Sequence, residues 1–206
     1  AEVDIMDSEG EFIIPVRDTT YIKYDIVGSH LKNYDFMVNL AHFKGHVMGG
    51  FGGSLKNIAI GCADGSIGKK MIHEKMEDPD FFKKPMAYPK WSCSGSRFME
   101  AMAESAKATL DLFKGKMCFV NVMRRMSVDC DCAGVGAAEP TCRDIGILAS
   151  TDILAVDQAC IDMLYKLPNN ESKDLKERIE TREGLHQLPA MENLKMGNRK
   201  YRLIEV

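Results

Sequence analysis

The chain has 206 residues, 45% of them hydrophobic, which is enough for one good-sized domain with a packed core. A net charge of -3 gives no overall basic field, so nucleic acid is not an expected partner. No apolar run approaches the roughly 20 residues that span a bilayer, and Ala1-Glu2-Val3-Asp4 has no signal-peptide character, so no membrane partner is expected and the cytoplasm is the expected location.

In chain order, residues 2–24 alternate apolar and polar positions around the turn Ser8-Glu9-Gly10, which predicts a β-hairpin of 3–6 with 12–16. Helix signals follow near 29–31, and the apolar run 34–40 predicts a strand. A glycine-rich stretch comes next, and 55–62 is amphipathic, so the predicted order is strand, glycine loop, helix. Residues 64–96 carry Pro79, Pro85, Pro89 and lysines such as Lys69, Lys70, Lys75, Lys83 and Lys84, and read as a long polar loop or lid. From Phe98 to Phe113 apolar residues recur at helical spacing and stop before Gly115. Strands are predicted at 117–123 and 144–150, a helix at 152–165 with Asp152 as its N-cap, an exposed helix at 171–183 and a closing strand at 201–206. Strands alternating with helices predict a single α/β domain over 1–206, a layered fold with a mostly parallel or mixed sheet flanked by helices. The fourteen methionines, such as Met99, Met102 and Met163, read as packing, and the odd count of seven cysteines reads as reduced thiols.

Four groups of residues have the chemistry of a site. Gly49, Gly50, Gly52 and Gly53, with Lys56 and the nearby Lys44, form a candidate anion cradle of backbone N–H groups, a helix N-terminus and ammonium groups. The competing reading is a tight turn in which glycines let a helix pack on a strand, since neither a Walker loop nor a dinucleotide fingerprint is present. His42 and His46, with His73 further on, suit metal ligation, acid-base work or loop bracing, and with Lys44 they are the candidate catalytic residues. Cys130 and Cys132, flanked by Asp129 and Asp131, form a Cys-x-Cys pair for a soft metal or, with thiolates from elsewhere such as Cys62 and Cys93, an iron-sulfur cluster; buried thiols are the plainer alternative. Asp144 and Asp157 are supporting candidates if the strand-to-helix junctions share a sheet edge.

The blocks His42-Phe43-Lys44-Gly45-His46, Gly49 through Asn57, Gly61-Cys62-Ala63, Asp129-Cys130-Asp131-Cys132, Asp144 through Ser150 and Ala155-Val156-Asp157-Gln158-Ala159 occur in the order that resembles domain-of-unknown-function family 362. The resemblance covers nearly the whole chain. It implies an anaerobe-leaning prokaryotic protein and the later part of a longer one. Members are often described as iron-sulfur proteins, because many carry a ferredoxin-like cysteine-rich insert. Here the corresponding interval, 74–96, holds a single cysteine, Cys93.

These readings combine into an expectation: a redox-linked or metal-dependent enzyme with an iron-sulfur cluster or single metal ion and a small anionic ligand. The rival expectation is a non-catalytic module that holds a phosphorylated small molecule or cofactor and docks to a ferredoxin-type partner.

Overall fold

The computed structural model describes residues 2–73 and 95–206. Its centre is a mixed three-stranded sheet of β3 (Met37–His42), β6 (Met117–Met123) and β7 (Gly146–Ser150), in the order β3-β6-β7. β3 and β6 are parallel, with Met37 opposite Met117 and His42 opposite Val122. β7 runs antiparallel to β6, with Met123 opposite Gly146. The parallel pair requires a crossover, which α1 (Ser54–Cys62) and α3 (Gly95–Phe113) supply. α1 packs on β3 and α3, while α4 (Ile153–Lys166) packs on β6 and β7.

Period-two alternation decides which side of β6 the helices cover: Met117, Phe119, Asn121 and Met123 are buried, and the residues between them are half-buried. On the other face, Val38, Leu40 and Ile147 remain 61%, 65% and 64% exposed. α3 forms where its apolar spacing predicts, and Phe98, Met99 and Met102 are fully buried on it. Each such side chain contributes roughly 1.5–3 kcal/mol. Beyond Phe113 the chain turns through Lys114 and Gly115, at φ 50° and 80°, which ends the helix.

Five features differ from the sequence expectations. The first hairpin pairs β1 (Glu11–Pro15) with β2 (Tyr24–Gly28), whereas 3–6 is not a strand. Ile26 and Val27 supply a strand that the core can bury, but Val3 and Ile5 are 93% and 63% exposed. The glycine stretch is a small antiparallel hairpin of β4 (Lys44–His46) and β5 (Gly50–Gly52), closed by Phe43 stacked on Phe51 at 5.4 Å. Within the expected 64–96 loop, α2 (Gly68–His73) forms because the Asp64 carboxylate accepts the N–H groups of Ser66 and Ile67 at its start; 74–94 lies outside the described residues. The exposed helix is shorter than expected, α5 (Lys173–Thr181), and a further helix α6 (Gln187–Asn193) follows. The 201–206 segment forms no strand; the Tyr201 hydroxyl donates to Asp162 on α4 and ties the tail to that helix. Among the described residues no helix is long and apolar enough to cross a membrane.

Candidate functional site

β3 and β6 end side by side, so the loops that leave them meet at one sheet edge, where α/β sites form. From β3 the chain enters the β4–β5 hairpin. From β6 it passes Arg124 and Arg125 into the cysteine loop, whose 3-10 stretch is Asp131–Gly136. The approach of the two depends on Gly45: its N–H donates to the Ser127 carbonyl at 2.8 Å, and a Cβ there would lie 2.1 Å from the Val128 oxygen. Gly45→Ala is expected to cost about 1–3 kcal/mol of stability by forcing these backbones apart. Urea denaturation checks this, and an unchanged midpoint would show that the contact is dispensable.

Cross-loop bonds then assemble the site. Asp131 pairs with Lys44 at 2.5 Å and faces His42 Nδ1 at 3.2 Å, while His42 Nε2 faces the Arg124 carbonyl at 2.8 Å. Burial raises the Asp131 carboxyl, but Lys44 and His42 outweigh it and leave Asp131 below the usual carboxylate range. Asp144 accepts the Arg125 N–H at 2.6 Å, which fixes the turn that presents the Arg124 carbonyl. Asp129 receives the Ala138 N–H and Arg178 of α5, at 3.0 and 3.2 Å, and so braces the cysteine loop.

Cys130, Cys132 and His46 converge: their ligand atoms lie within 4.8 Å of one another. Cys130 is buried and Cys132 exposed, and the Cys130 thiol accepts the Cys132 N–H at 3.4 Å. The Cys132 thiol is pushed up by its bond to Cys130, with burial adding to the shift. His46 is held through Nδ1, which accepts the Gly49 N–H at 2.9 Å and thereby leaves the ring proton on Nε2. Burial, with Lys56 and His73 nearby, pushes His46 down to about 3, so its imidazole is neutral. His73 sits in α2 with Nδ1 on the Lys69 carbonyl at 2.6 Å, and burial pushes it down to about 4. Beside these groups is a cavity of about 30 Å³ lined by Ala41, His42, Lys44, His46, Gly52, Gly53, Lys56 and Asn57.

The α1 N-terminus is already occupied by a protein group. Asp157, reaching across from α4, accepts the N–H groups of Ser54 and Leu55 at 2.8 and 2.9 Å. A Cβ on Gly53 would lie 2.5 Å from its carboxylate, so this glycine serves helix packing, the plainer of the two sequence readings. Asp157 and Asp144 therefore act as braces of the two loops. Because β7 is antiparallel, its junction with α4 lies at the opposite sheet edge, and Asp152 there caps α4 by accepting the Ala155 N–H at 2.8 Å. Cys62 is not brought to the site: it lies in the core beside Asp25, pushed up to about 12 by burial and by that carboxylate. Cys93 falls outside the described residues.

Sequence reasoning missed four supporting residues. Gln187 of α6 donates to the Gly49 and Phe51 carbonyls at 2.7 and 3.0 Å and holds the hairpin. Asn121 donates to Asp157 and accepts from Ser54, at 2.7 and 2.8 Å, and Asn39 accepts from Asn57 at 2.5 Å. Asparagines inside apolar strand runs were the available signal for Asn39 and Asn121; Gln187 and Arg178 had none.

Fold and site together define an α/β domain that carries a two-cysteine, one-histidine group at the open end of a parallel strand pair. Residues 1–162 match the family described as Domain of unknown function (DUF362), and the chain belongs to that family. No curated protein and no solved structure matches the chain.

Proposed function

We propose that this site is a mononuclear centre for a soft or borderline metal ion, and that the domain does metal-dependent chemistry on a small ligand held beside it. The supporting observation is the convergence of Cys130, Cys132 and His46 within 4.8 Å. Two thiolates and an imidazole suit zinc or a similar ion, whose tetrahedral sites place ligand atoms roughly 3.5–3.8 Å apart, so closing the group takes about an ångström of movement. Three protein ligands leave a fourth position for water or substrate, the pattern of catalytic rather than structural sites. A bound ion supplies Lewis acidity, or electron transfer if it is redox-active.

The thiols and the imidazole are not equivalent. Cys130 and Cys132 need only lose protons, which a divalent cation promotes. His46 ligates through Nε2 only once the ring proton has moved to Nδ1, and that requires the Gly49 N–H to give up its acceptor. The cysteines are therefore the principal ligands and His46 completes the set. A four-thiolate cluster is less well supported, since among the described residues no fourth ligand joins this group. The reading as a module for a phosphorylated molecule has less support still, because Asp157 occupies the α1 N-terminus and the cavity is about 30 Å³.

Metal analysis of anaerobically purified protein, followed by cobalt substitution, tests the proposal. The wild-type chain is expected to bind about one ion with thiolate-to-cobalt absorption, Cys130→Ser/Cys132→Ser to lose both, and His46→Gln to bind about 10–100-fold more weakly. Folded wild-type protein that takes up no zinc, cobalt or iron would overturn the reading, as would a cysteine variant with undiminished metal content.

A further inference from the structure

The polar groups around the cavity beside the cysteines are nearly all committed. Lys44 is neutralised by Asp131, His42 lies between Asp131 and the Arg124 carbonyl, and His46 Nδ1 holds the Gly49 N–H. The first N–H groups of α1 belong to Asp157, and Asn57 donates to Asn39. Lys56 is the exception. Its side chain lines the cavity, yet it makes no hydrogen bond or ion pair among the described residues. The acidic groups nearest it are the thiols of Cys130 and Cys132 and the carboxylate of Asp131, the last already bound to Lys44. Burial accordingly lowers the Lys56 ammonium, as for a buried cation without a full counter-charge.

We infer that Lys56, and not the glycine loop, is the anion receptor of this site, and that its ligand is a monoanionic carboxylate whose charged end sits in the cavity next to Cys130 and Cys132. The inference rests on the metal-centre reading for what the ligand lies beside, but the receptor itself needs only Lys56. Two magnitudes select the ligand class. A volume of about 30 Å³ has room for only a small charged end group, so the body of the ligand stays outside. One uncompensated ammonium matches one negative charge, whereas a phosphate dianion would leave an excess charge partly desolvated. Metal and carboxylate should reinforce each other, because a carboxylate seated next to the cysteines would also reach the fourth position that three protein ligands leave open on an ion.

Formate is the probe, with sodium chloride at equal ionic strength as control and inorganic phosphate as comparison. Its binding is read in two ways on metal-free and zinc-loaded protein: thermal shift, and protection of Lys56 from acetylation followed by mass spectrometry. Formate should slow Lys56 acetylation by at least about threefold with saturation, more strongly in the zinc-loaded protein, while other lysines are unaffected. Lys56→Met should weaken the formate shift at least about tenfold. The protection measurement uses wild-type protein, so it decides the matter even if the variant folds poorly. No formate protection in either form, or formate shifts kept in Lys56→Met, would overturn the inference. Equal or stronger protection by phosphate would overturn the carboxylate class. If zinc binds stoichiometrically and formate does nothing, the receptor fails and the metal centre stands; if formate protects Lys56 and no metal binds, the reverse holds.

Discussion

Asp157→Asn is expected to lower the melting temperature by roughly 6–12 °C, equivalent to about 3 kcal/mol in a chain of this size. Asp157 is fully buried, and its two oxygens take the Ser54 N–H, the Leu55 N–H and the Asn121 amide. Burial pushes its carboxyl up and these three donors pull against that shift. Asparagine has nearly the same shape but turns one acceptor into an NH₂ group. That group must face a backbone N–H, or the side chain must flip and face the Asn121 amide with another donor. Either way a buried donor is left without an acceptor, at about 1–3 kcal/mol, and the charge-assisted bonds are lost as well. Because α1 carries Lys56 and Asn57, frayed N-terminal amides should also exchange faster with solvent. Calorimetry together with amide exchange decides the point. A midpoint within about 2 °C of wild type, with α1 equally protected, would mean that the carboxylate is not what holds this helix.

That network also shows how far the sequence could be read. The elements of the central layer follow from periodicity, since β6, α3 and α4 bury faces that their own residues announce. The dense motif around His42 to Lys56 was recognisable as special, and so was the Cys-x-Cys pair, because each concentrates residue types that packing alone does not require. What local pattern could not supply was the partner. The glycine density has a tertiary cause: Gly45 admits the Val128 carbonyl and Gly53 admits the Asp157 carboxylate, groups 83 and 104 residues away in sequence. Asp157 has no local signal of its role, since α4 also carries Asp162 and nothing nearby marks which of the two acids turns inward. The first hairpin shows the same limit. Alternation in 3–6 satisfied the strand pattern, but burial selected Tyr24–Gly28, whose apolar side chains have a core to enter.

At pH 8, Asp25→Asn is expected to gain up to about 4 kcal/mol relative to its balance with wild type at pH 4. Asp25 is 1% exposed on β2, with one carboxylate oxygen on the Ser105 hydroxyl at 2.9 Å and the other without a hydrogen bond. Burial pushes it up to about 7, so the folded chain keeps the proton through the acid range while the unfolded chain, at 3.8, releases it. The contribution is therefore fully present below about pH 4, declines as pH rises, and is gone above about pH 7. His46 and His73 act in the opposite sense. Their folded values, about 3 and 4, lie below the ordinary 6.5, so their contribution is present above pH 6.5 and is lost on acidification. The wild-type profile is therefore a balance of these two imidazoles against Asp25 and against Asp157, whose carboxyl burial also pushes up. Whatever that balance, removing Asp25 should make stability decline on acidification by about 1.4 kcal/mol per unit more than in wild type between about pH 7 and 4. Urea denaturation of both proteins at pH 5, 6, 7 and 8 isolates the carboxyl as a difference. A difference that stays constant across the series would mean that Asp25 ionises normally within the fold and that its neighbours, Ser105 and Cys62, leave it better solvated than their packing indicates.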